Sequence, residues 1–269
     1  MQLDRYENLE SGGLLPRHVE VWLPPQYAES QAQRFPVLYM HDGQNLFESE
    51  NAYTGVTWGV AEAIPRLSKE GLIDPAIVVG IWNTTNRLGD YLPKKPFETK
   101  KGKRILWFFR LHRSVKEMEM AADDYLRFIV EEIKPMIDQK YRTKTDKPHT
   151  HMMGSSMGGL ISLYAICEYP QVFGGAGCVS THWPVVKRVI ESYLEEKLPL
   201  PGDHKIYFDH GTVGLDRKYP RLQRRIDRIM QAKGYDQGEN WLTKVYEGDT
   251  HNETCWQARI EVPLKFLLG

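Results

Sequence analysis

The segment from Gly154 to Gly158 places a serine where a hydroxyl group can become reactive. It reads Gly154-Ser155-Ser156-Met157-Gly158 and lies where a short apolar stretch ends and a helix-forming stretch begins. A sharp strand-to-helix turn of this kind strains the middle serine and exposes its hydroxyl in a cleft. The following helix, predicted over 157–169, directs its N-terminal N–H groups at the same point. The pattern predicts that Ser156 is a catalytic nucleophile; the alternative is a turn without chemistry.

His251 is the predicted base for Ser156. A serine hydroxyl is a poor nucleophile until a base takes its proton, and a carboxylate must orient that base. In sheets of this type the chain order is serine, acid, histidine. His251 stands in a polar loop after the last predicted strand, as this order requires, although an exposed loop histidine would have the same context. His204 and His210 also follow the serine, but His210 abuts a strand end and is expected to be structural.

Two aspartates could orient His251. Asp216 lies in the loop after the preceding strand and is free to reach an imidazole. Asp209 lies at the end of that strand, where its side chain could cap the turn by accepting backbone N–H bonds. We favour Asp216 as the acid and keep Asp209 as the alternative.

Two backbone N–H groups are predicted to stabilise the oxyanion of a tetrahedral intermediate. One belongs to Met157, the residue after the nucleophile. The other belongs to Gln44, because Gly43 permits a turn that aims this N–H inward. Asp42-Gly43 is also common in simple turns, which is the alternative interpretation.

Several further side chains are candidates for substrate contact, because ligands bind at the carboxyl ends of strands in open α/β sheets. Arg87 follows a central strand and would pair with a substrate carboxylate or phenolate, or else form a surface salt bridge. Trp183 follows the strand after the nucleophile helix and would line the cleft or pack in the core. The complete set of predicted substrate-binding residues is Asp42, Trp82, Arg87, His182 and Trp183.

Strand-like and helix-like segments alternate along the chain, which predicts an α/β fold with a mostly parallel central sheet and helices on both faces. Strands are predicted at 19–23, 36–40, 76–82, 174–180, 205–209 and 241–246, besides the strand before Ser156. Helices are predicted at 58–69, 121–140, 157–169, 185–195, 219–233 and the C-terminus. No repeat or linker divides the sequence, so we expect one domain over 1–269.

The segment 94–116 is longer than most loops between a strand and a helix. It combines many lysines and arginines with aromatic residues that would be exposed in a long loop, which predicts a lid or a substrate wall. A basic surface loop with its aromatic rings packed in the core is the alternative. Basic and aromatic residues together can also bind nucleic acid, but the nucleophile motif argues against that function here.

Composition excludes several classes of protein. The chain has 269 residues, with Lys+Arg and Asp+Glu both 35, so a general nucleic-acid binder is not expected. No apolar stretch approaches the roughly 20 residues of a membrane span, and no apolar signal core is present. The three scattered cysteines are typical of buried thiols in the cytoplasm. We predict a cytoplasmic protein without metal or cofactor that acts on a small molecule; the sequence does not determine its oligomeric state.

Four segments in order resemble the "putative esterase" family related to esterase D. This family is similar to enterochelin esterases, to feruloyl and acetyl-xylan esterases of carbohydrate esterase family 1, and to mycolyltransferases. The resemblance runs from about Arg17 to the C-terminus. The segments that carry it are His41-Asp42-Gly43-Gln44-Asn45-Leu46-Phe47, Gly154-Ser155-Ser156-Met157-Gly158-Gly159, Asp209-His210-Gly211-Thr212 and Gly248-Asp249-Thr250-His251.

The resemblance implies a single α/β-hydrolase domain, serine catalysis and no metal. Ser156 would be the nucleophile, His251 the base and Asp216 the acid, with Gln44 and Met157 as oxyanion donors. The implied activity is hydrolysis of a carboxylic ester through an acyl-serine intermediate, with acylated sugars or siderophore-like esters as substrates. An acyltransferase of the same fold, a non-catalytic hydrolase-fold binding protein and a polyanion binder are the alternatives.

Overall fold

The computed structural model of the protein describes residues 2–100, 102–105, 107, 119–202 and 204–269. Across these ranges eight strands form one sheet in the order β1-β2-β4-β3-β5-β6-β7-β8. The first three strands in this order are antiparallel, and all pairings from β4 to β8 are parallel. The strands are β1 (Gln2–Leu9), β2 (Arg17–Leu23), β3 (Val37–His41), β4 (Ile77–Ile81), β5 (Thr150–Ser155), β6 (Gly175–Val179), β7 (Lys205–Gly211) and β8 (Trp241–Tyr246).

The helices lie on both faces of the sheet. Alternate residues of a strand point to opposite sides, and here both sides are apolar and need to be covered. In β3, for example, Val37 and Tyr39 belong to one apolar layer, whereas Leu38 and Met40 belong to the other. This confirms the predicted α/β arrangement. The helices are α1 (Gln26–Glu29), α2 (Val60–Lys69), α3 (Arg87–Tyr91), α4 (Ala122–Arg127, Phe128–Ile133 and Lys134–Lys140 in one continuous run), α5 (Met157–Glu168), α6 (Trp183–Val186), α7 (Val189–Lys197), α8 (Pro220–Ala232), α9 (Glu253–Arg259) and α10 (Glu261–Leu268).

Three details differ from the sequence-based predictions. Strand β1 was not predicted, because Gln2–Leu9 is mostly polar and lies at the edge of the sheet, where half of a strand can remain exposed. The single helix predicted over 185–195 is two helices, which separate at Lys187 with a positive φ of 47°. The C-terminal helix likewise divides into α9 and α10. Among the described residues, no helix combines the length and the apolar character needed to span a bilayer.

The carboxyl ends of the parallel strands meet at one edge of the sheet, which brings the predicted site residues together. Asp42 follows β3, Ser156 follows β5, Asp216 lies shortly after β7 and His251 lies after β8. These residues are far apart in sequence, but they follow β3, β5, β7 and β8, whose carboxyl ends lie at this edge. The sheet therefore determines where the chemistry described below can occur.

His151, in β5, makes the stability of the fold depend on pH. Burial lowers its pKa to about 3, with smaller effects of Lys205 and His149 in the same direction. In the unfolded chain a histidine titrates near pH 6.5, so between about pH 6.5 and 3 only the unfolded state takes up the proton. We therefore expect this residue to reduce the free energy of unfolding by about 1.4 kcal/mol for each pH unit of acidification in that window.

Urea unfolding between pH 4 and 7 tests this expectation. His151→Gln should have a shallower dependence on pH than the wild type, by about 1.4 kcal/mol per unit. His149→Gln is the matched control, because His149 is half-exposed in the same segment. Equal slopes for the wild type and His151→Gln would refute the assignment.

Candidate active site

The backbone at Ser156 has the strained geometry of a nucleophile turn. Its φ and ψ are 56° and −115°, and it immediately precedes the first residue of α5. A Cβ on Gly154 would lie 2.7 Å from the carbonyl carbon of Gly158, so the turn closes only when residue 154 is glycine. The Ser156 N–H donates to the carbonyl oxygen of Val179 at 2.8 Å, which anchors the turn to β6.

Asp216 and His251 form a hydrogen-bonded acid–base pair. His251 Nδ1 lies 2.6 Å from Asp216 Oδ1, and the carboxylate is fully buried. Burial raises the pKa of Asp216, but the hydrogen bond and charge of His251 and the donors from Gly211 and Ser180 outweigh it and lower that pKa overall. The carboxylate is thus ionised near neutral pH and can only accept a hydrogen bond, so the Nδ1–H group of His251 is the donor. This leaves the Nε2 lone pair of His251 available as a base.

His182 links the nucleophile turn to the acid–base pair. Its N–H donates to the carbonyl oxygen of Ser156 at 3.0 Å, and its ring centroid lies 6.4 Å from that of His251. Its Nδ1 lies 2.7 Å from the hydroxyl of Tyr219, whose ring also contacts His251. His182 therefore stands beside the site, as a substrate-contact residue must.

Asp209, the alternative acid, has other partners. One of its oxygens accepts the N–H of Ser180 at 2.9 Å, and the other accepts the Tyr207 hydroxyl at 2.8 Å. Arg259 donates to both oxygens, at 3.1 and 3.2 Å. Asp216, and not Asp209, contacts the imidazole of His251.

The loop after β3 lies directly against the nucleophile turn. Gly158 approaches it so closely that a Cβ there would lie 3.3 Å from His41 Cβ and 3.6 Å from Asp42 Oδ2. Gly43 in turn packs on β4, where a Cβ would lie 2.5 Å from the carbonyl carbon of Gly80. Within the described residues, the N–H groups of Gln44 and Met157 donate to no backbone carbonyl, as the predicted role of oxyanion donors requires.

A partly buried ion pair between Arg87 and Asp42 fixes the conformation of this loop. Asp42 has a left-handed backbone, with φ 57°, and receives two parallel bonds from Arg87, to Oδ1 at 2.6 Å and Oδ2 at 2.7 Å. Asn83 donates to Oδ1 at 2.6 Å, and its N–H donates to the Gln44 side chain at 3.2 Å. Burial raises the pKa of Asp42, but the charge and hydrogen bonds of Arg87 outweigh it and lower that pKa.

This ion pair corrects two of the predicted substrate contacts. Asp42 is 2% exposed and both of its carboxylate oxygens are occupied, so it positions the loop instead of binding substrate. Arg87 uses Nε and one terminal nitrogen on Asp42, so the salt-bridge interpretation describes its main interaction. The loop and Arg87 together therefore form a support for the predicted oxyanion donor.

Replacing Arg87 by leucine is expected to lower kcat for a neutral ester by roughly tenfold to a hundredfold. This loss is at most about as large as the smallest losses known for deleting an oxyanion donor, roughly a hundredfold. The reason is that Asp42 loses its bidentate partner and the Gln44 N–H loses its fixed direction. Steady-state kinetics with one neutral and one acidic ester distinguish the two roles of Arg87. An increase in KM confined to the acidic ester, with kcat unchanged, would instead show that Arg87 binds a substrate anion.

The two tryptophans predicted to line the site make their main contacts with other groups. Trp183 is 1% exposed and donates from Nε1 to Gln223 at 2.9 Å, so it is a core residue at the start of α6. Trp82 is half-buried and packs edge-on against His18 at 5.0 Å, towards β2.

Nearly half of the predicted lid lies outside the described residues, which omit 101, 106 and 108–116 of the segment 94–116. In its described beginning, Phe97 is buried in the core, whereas Trp107 is 61% exposed. The lid therefore stays a prediction.

Four residues near the acid–base pair were not predicted from the sequence. No motif identified them, because each acts through a contact between distant segments. Trp256, for example, packs edge-on against His251 with centroids 5.0 Å apart. The four residues are Ser180, Tyr219, Trp256 and Arg259.

Several known proteins are similar to this chain in sequence or in fold. An Endo-1,4-beta-xylanase/feruloyl esterase of Xylanibacter ruminicola is 26% identical over 90% of this chain, which spans 28% of that relative. The Ferri-bacillibactin esterase BesA of Bacillus subtilis is 30% identical over 55% of this chain and 49% of its own length. A solved ferulic acid esterase covers 99% of this chain and 98% of its own, with a TM-score of 0.70 and 18% identity.

The chain thus spans less than half the length of these two sequence relatives. The family described as "Putative esterase" matches residues 15–267, which is nearly the whole chain. The likeness to the ferulic acid esterase extends over the complete sheet and its helices, and it shows the α/β-hydrolase fold. By this match the protein belongs to the putative esterase family and is an enzyme that hydrolyses esters.

Proposed function

We propose that this esterase works through an acyl-serine intermediate on Ser156, with His251 as base and Asp216 as the acid that orients it. The observation that carries the proposal is the 2.6 Å bond from His251 Nδ1 to the buried Asp216 carboxylate, at the sheet edge where Ser156 occupies its strained turn. Such a pair fixes the imidazole tautomer and leaves Nε2 to take the serine proton.

The proposed reaction has two steps. Ser156 Oγ attacks the ester carbonyl while His251 Nε2 accepts its proton, and the N–H groups of Gln44 and Met157 bind the oxyanion. Collapse of the tetrahedral intermediate breaks the ester C–O bond, and His251 returns the proton to the leaving alcohol. Water then attacks the acyl group with His251 again as base, which releases the acid and restores Ser156.

The proposed substrates are acylated sugars or siderophore-like esters. Relatives named as feruloyl esterase and ferri-bacillibactin esterase support this choice. A panel that compares methyl ferulate, an acetylated sugar and a catechol-containing lactone tests it by kcat/KM. Preference for a simple aliphatic ester over all three would overturn the substrate proposal without affecting the serine mechanism.

Acyl transfer is the second candidate, because the same acyl-serine would react with an alcohol wherever water is excluded. Hydrolysis of 4-nitrophenyl butyrate with increasing glycerol distinguishes the two reactions. A hydrolase yields butyric acid as its main product throughout, whereas a transferase yields the glycerol ester. The predicted cytoplasmic location and the absence of a nucleic-acid partner stay predictions.

A further inference from the structure

The side chain of Ser180 lies behind the acid–base pair and joins three buried groups. Its Oγ is 2.9 Å from Asp216 Oδ2, 2.8 Å from a terminal nitrogen of Arg259 and 3.1 Å from Trp256 Nε1. The residue is fully buried and has a positive φ of 40°, a conformation uncommon for a serine. This strained backbone places the hydroxyl between the carboxylate and the guanidinium.

The chemistry of the three partners determines the direction of every bond. Guanidinium and indole N–H groups can only donate, so both use the two lone pairs of the Ser180 oxygen. The single hydroxyl proton of Ser180 is then left for Asp216, which is the one acceptor among the three. The bond from Arg259 polarises the Ser180 hydroxyl and so strengthens the hydrogen bond that this hydroxyl donates to Oδ2 of Asp216.

Arg259 also connects the acid to the loop that carries the base. Besides Ser180, it donates to both oxygens of Asp209 at the end of β7 and to Asp249 at 2.7 Å. Asp249 lies two residues before His251 in the same loop. Arg259 itself is 4% exposed, so its bonds to Ser180 and Asp209 are shielded from water.

We propose that Arg259 and Ser180 form a positioning relay, in which the guanidinium, through the serine hydroxyl, holds Asp216 in line with His251 while it anchors the His251 loop through Asp249. This proposal rests on the proposed function, because it assigns a task to residues that support that acid–base pair. Neither residue touches the substrate. The relay makes the orientation of His251 depend on a helix, α9, that follows the base in sequence.

Several charged or titratable groups surround Asp216 and bear on its protonation. His251 contacts Oδ1, and Tyr219, directly before α8, packs edge-on against His251. Arg259 acts from α9, while Asp209 at the end of β7 is paired with that arginine. Although burial raises the pKa of Asp216, the Ser180 hydrogen bond is among the contacts that lower it. Loss of this bond therefore raises the pH at which Asp216 takes up a proton.

Kinetics of Ser180→Ala test the relay. We expect kcat for 4-nitrophenyl butyrate to fall roughly tenfold to a hundredfold, the size of one lost hydrogen bond to a charged group, with KM changed less than about twofold. The acidic limb of the kcat/KM profile should move to higher pH. Thr150→Val is the matched control, because it removes another buried hydroxyl, bonded to the Asp146 carbonyl at the opposite edge of the sheet.

Two substitutions of Arg259 separate charge from geometry. Arg259→Lys keeps the charge but lacks the planar fork needed to reach Ser180, Asp209 and Asp249 together, so we expect partial activity. Arg259→Gln removes the charge and should shift the acidic limb further than the lysine variant. Arg142→Lys is the control, since Arg142 also donates to several groups, but far from the site.

A spectroscopic measurement keeps the relay testable in the absence of activity. The Nδ1 proton of His251 in its short bond to Asp216 should resonate at low field in proton NMR, assigned by its absence from His251→Gln. We expect this resonance to shift or disappear in folded Ser180→Ala. An unchanged resonance together with an unchanged pH profile would overturn the relay. A wild type without esterase activity would refute the proposed function alone.

Discussion

Ser156→Ala is expected to lower kcat for 4-nitrophenyl acetate and butyrate by about a thousandfold or more while the protein stays folded. The hydroxyl is the atom that would form the acyl bond, and no other group of the turn can replace it. What remains should come from the oxyanion donors and from binding alone. The measurement is steady-state hydrolysis, with circular dichroism to establish that the variant is folded.

Ser155→Ala provides the matched control for this experiment. Ser155 is the neighbouring serine in the same pentapeptide, but it is 2% exposed at the end of β5 and does not occupy the strained position. We expect it to retain activity within about tenfold. A fluorophosphonate probe should label the wild type and Ser155→Ala but not Ser156→Ala. A wild type that neither hydrolyses these esters nor takes the label would support the non-catalytic binding protein instead.

Asp216→Asn is expected to lower kcat by about ten-thousandfold, the cost known for losing the carboxylate of such a triad. The amide can donate to Nδ1, which would turn the imidazole to the tautomer with its proton on Nε2 and abolish the base. The lowered pKa of Asp216 means that wild-type activity should not be limited by this carboxyl until the pH falls below its ordinary value near 3.9.

Asp209→Asn is the comparison that decides between the two candidate acids. Asp209 pairs with Arg259 and does not contact His251, so its replacement should reduce activity far less than Asp216→Asn. Asp138→Asn, at the end of α4, controls for the loss of any partly buried carboxylate. If Asp209→Asn had the larger effect on kcat, Asp216 would not be the acid.

Local sequence patterns were sufficient for the nucleophile turn and the parallel strands. The Gly154–Gly158 pentapeptide has a steric origin, because Gly154 and Gly158 touch, and such contacts between neighbouring residues leave a direct mark on the sequence. The continuous apolar runs of β3 and β4 likewise follow from burial on both faces. The polar strand β1 was missed, because an edge strand needs little apolar surface.

Contacts between distant segments were decided by the tertiary structure alone. The sequence favoured Asp216 but kept Asp209 as an alternative acid, and the contact between His251 and Asp216 distinguishes them. Trp183 and Arg87 had plausible roles at the cleft, but Trp183 is buried in the core with its indole bonded to Gln223, and Arg87 forms a bidentate pair with Asp42. Such choices depend on which side chains the folded sheet edge brings within 3 Å.

The sequence by itself therefore determined the fold class and the candidate nucleophile and base, and it restricted the acid to two aspartates, because each follows from steric rules or from chain order. The tertiary structure decided which aspartate meets His251, which residues support the oxyanion loop, and that Ser180 and Arg259 stand behind the acid. The physical reason is that hydrogen bonds depend on distances of about 3 Å between atoms. Chain separation of 30 to 80 residues, as between Ser180 and Arg259, places such distances beyond any local pattern.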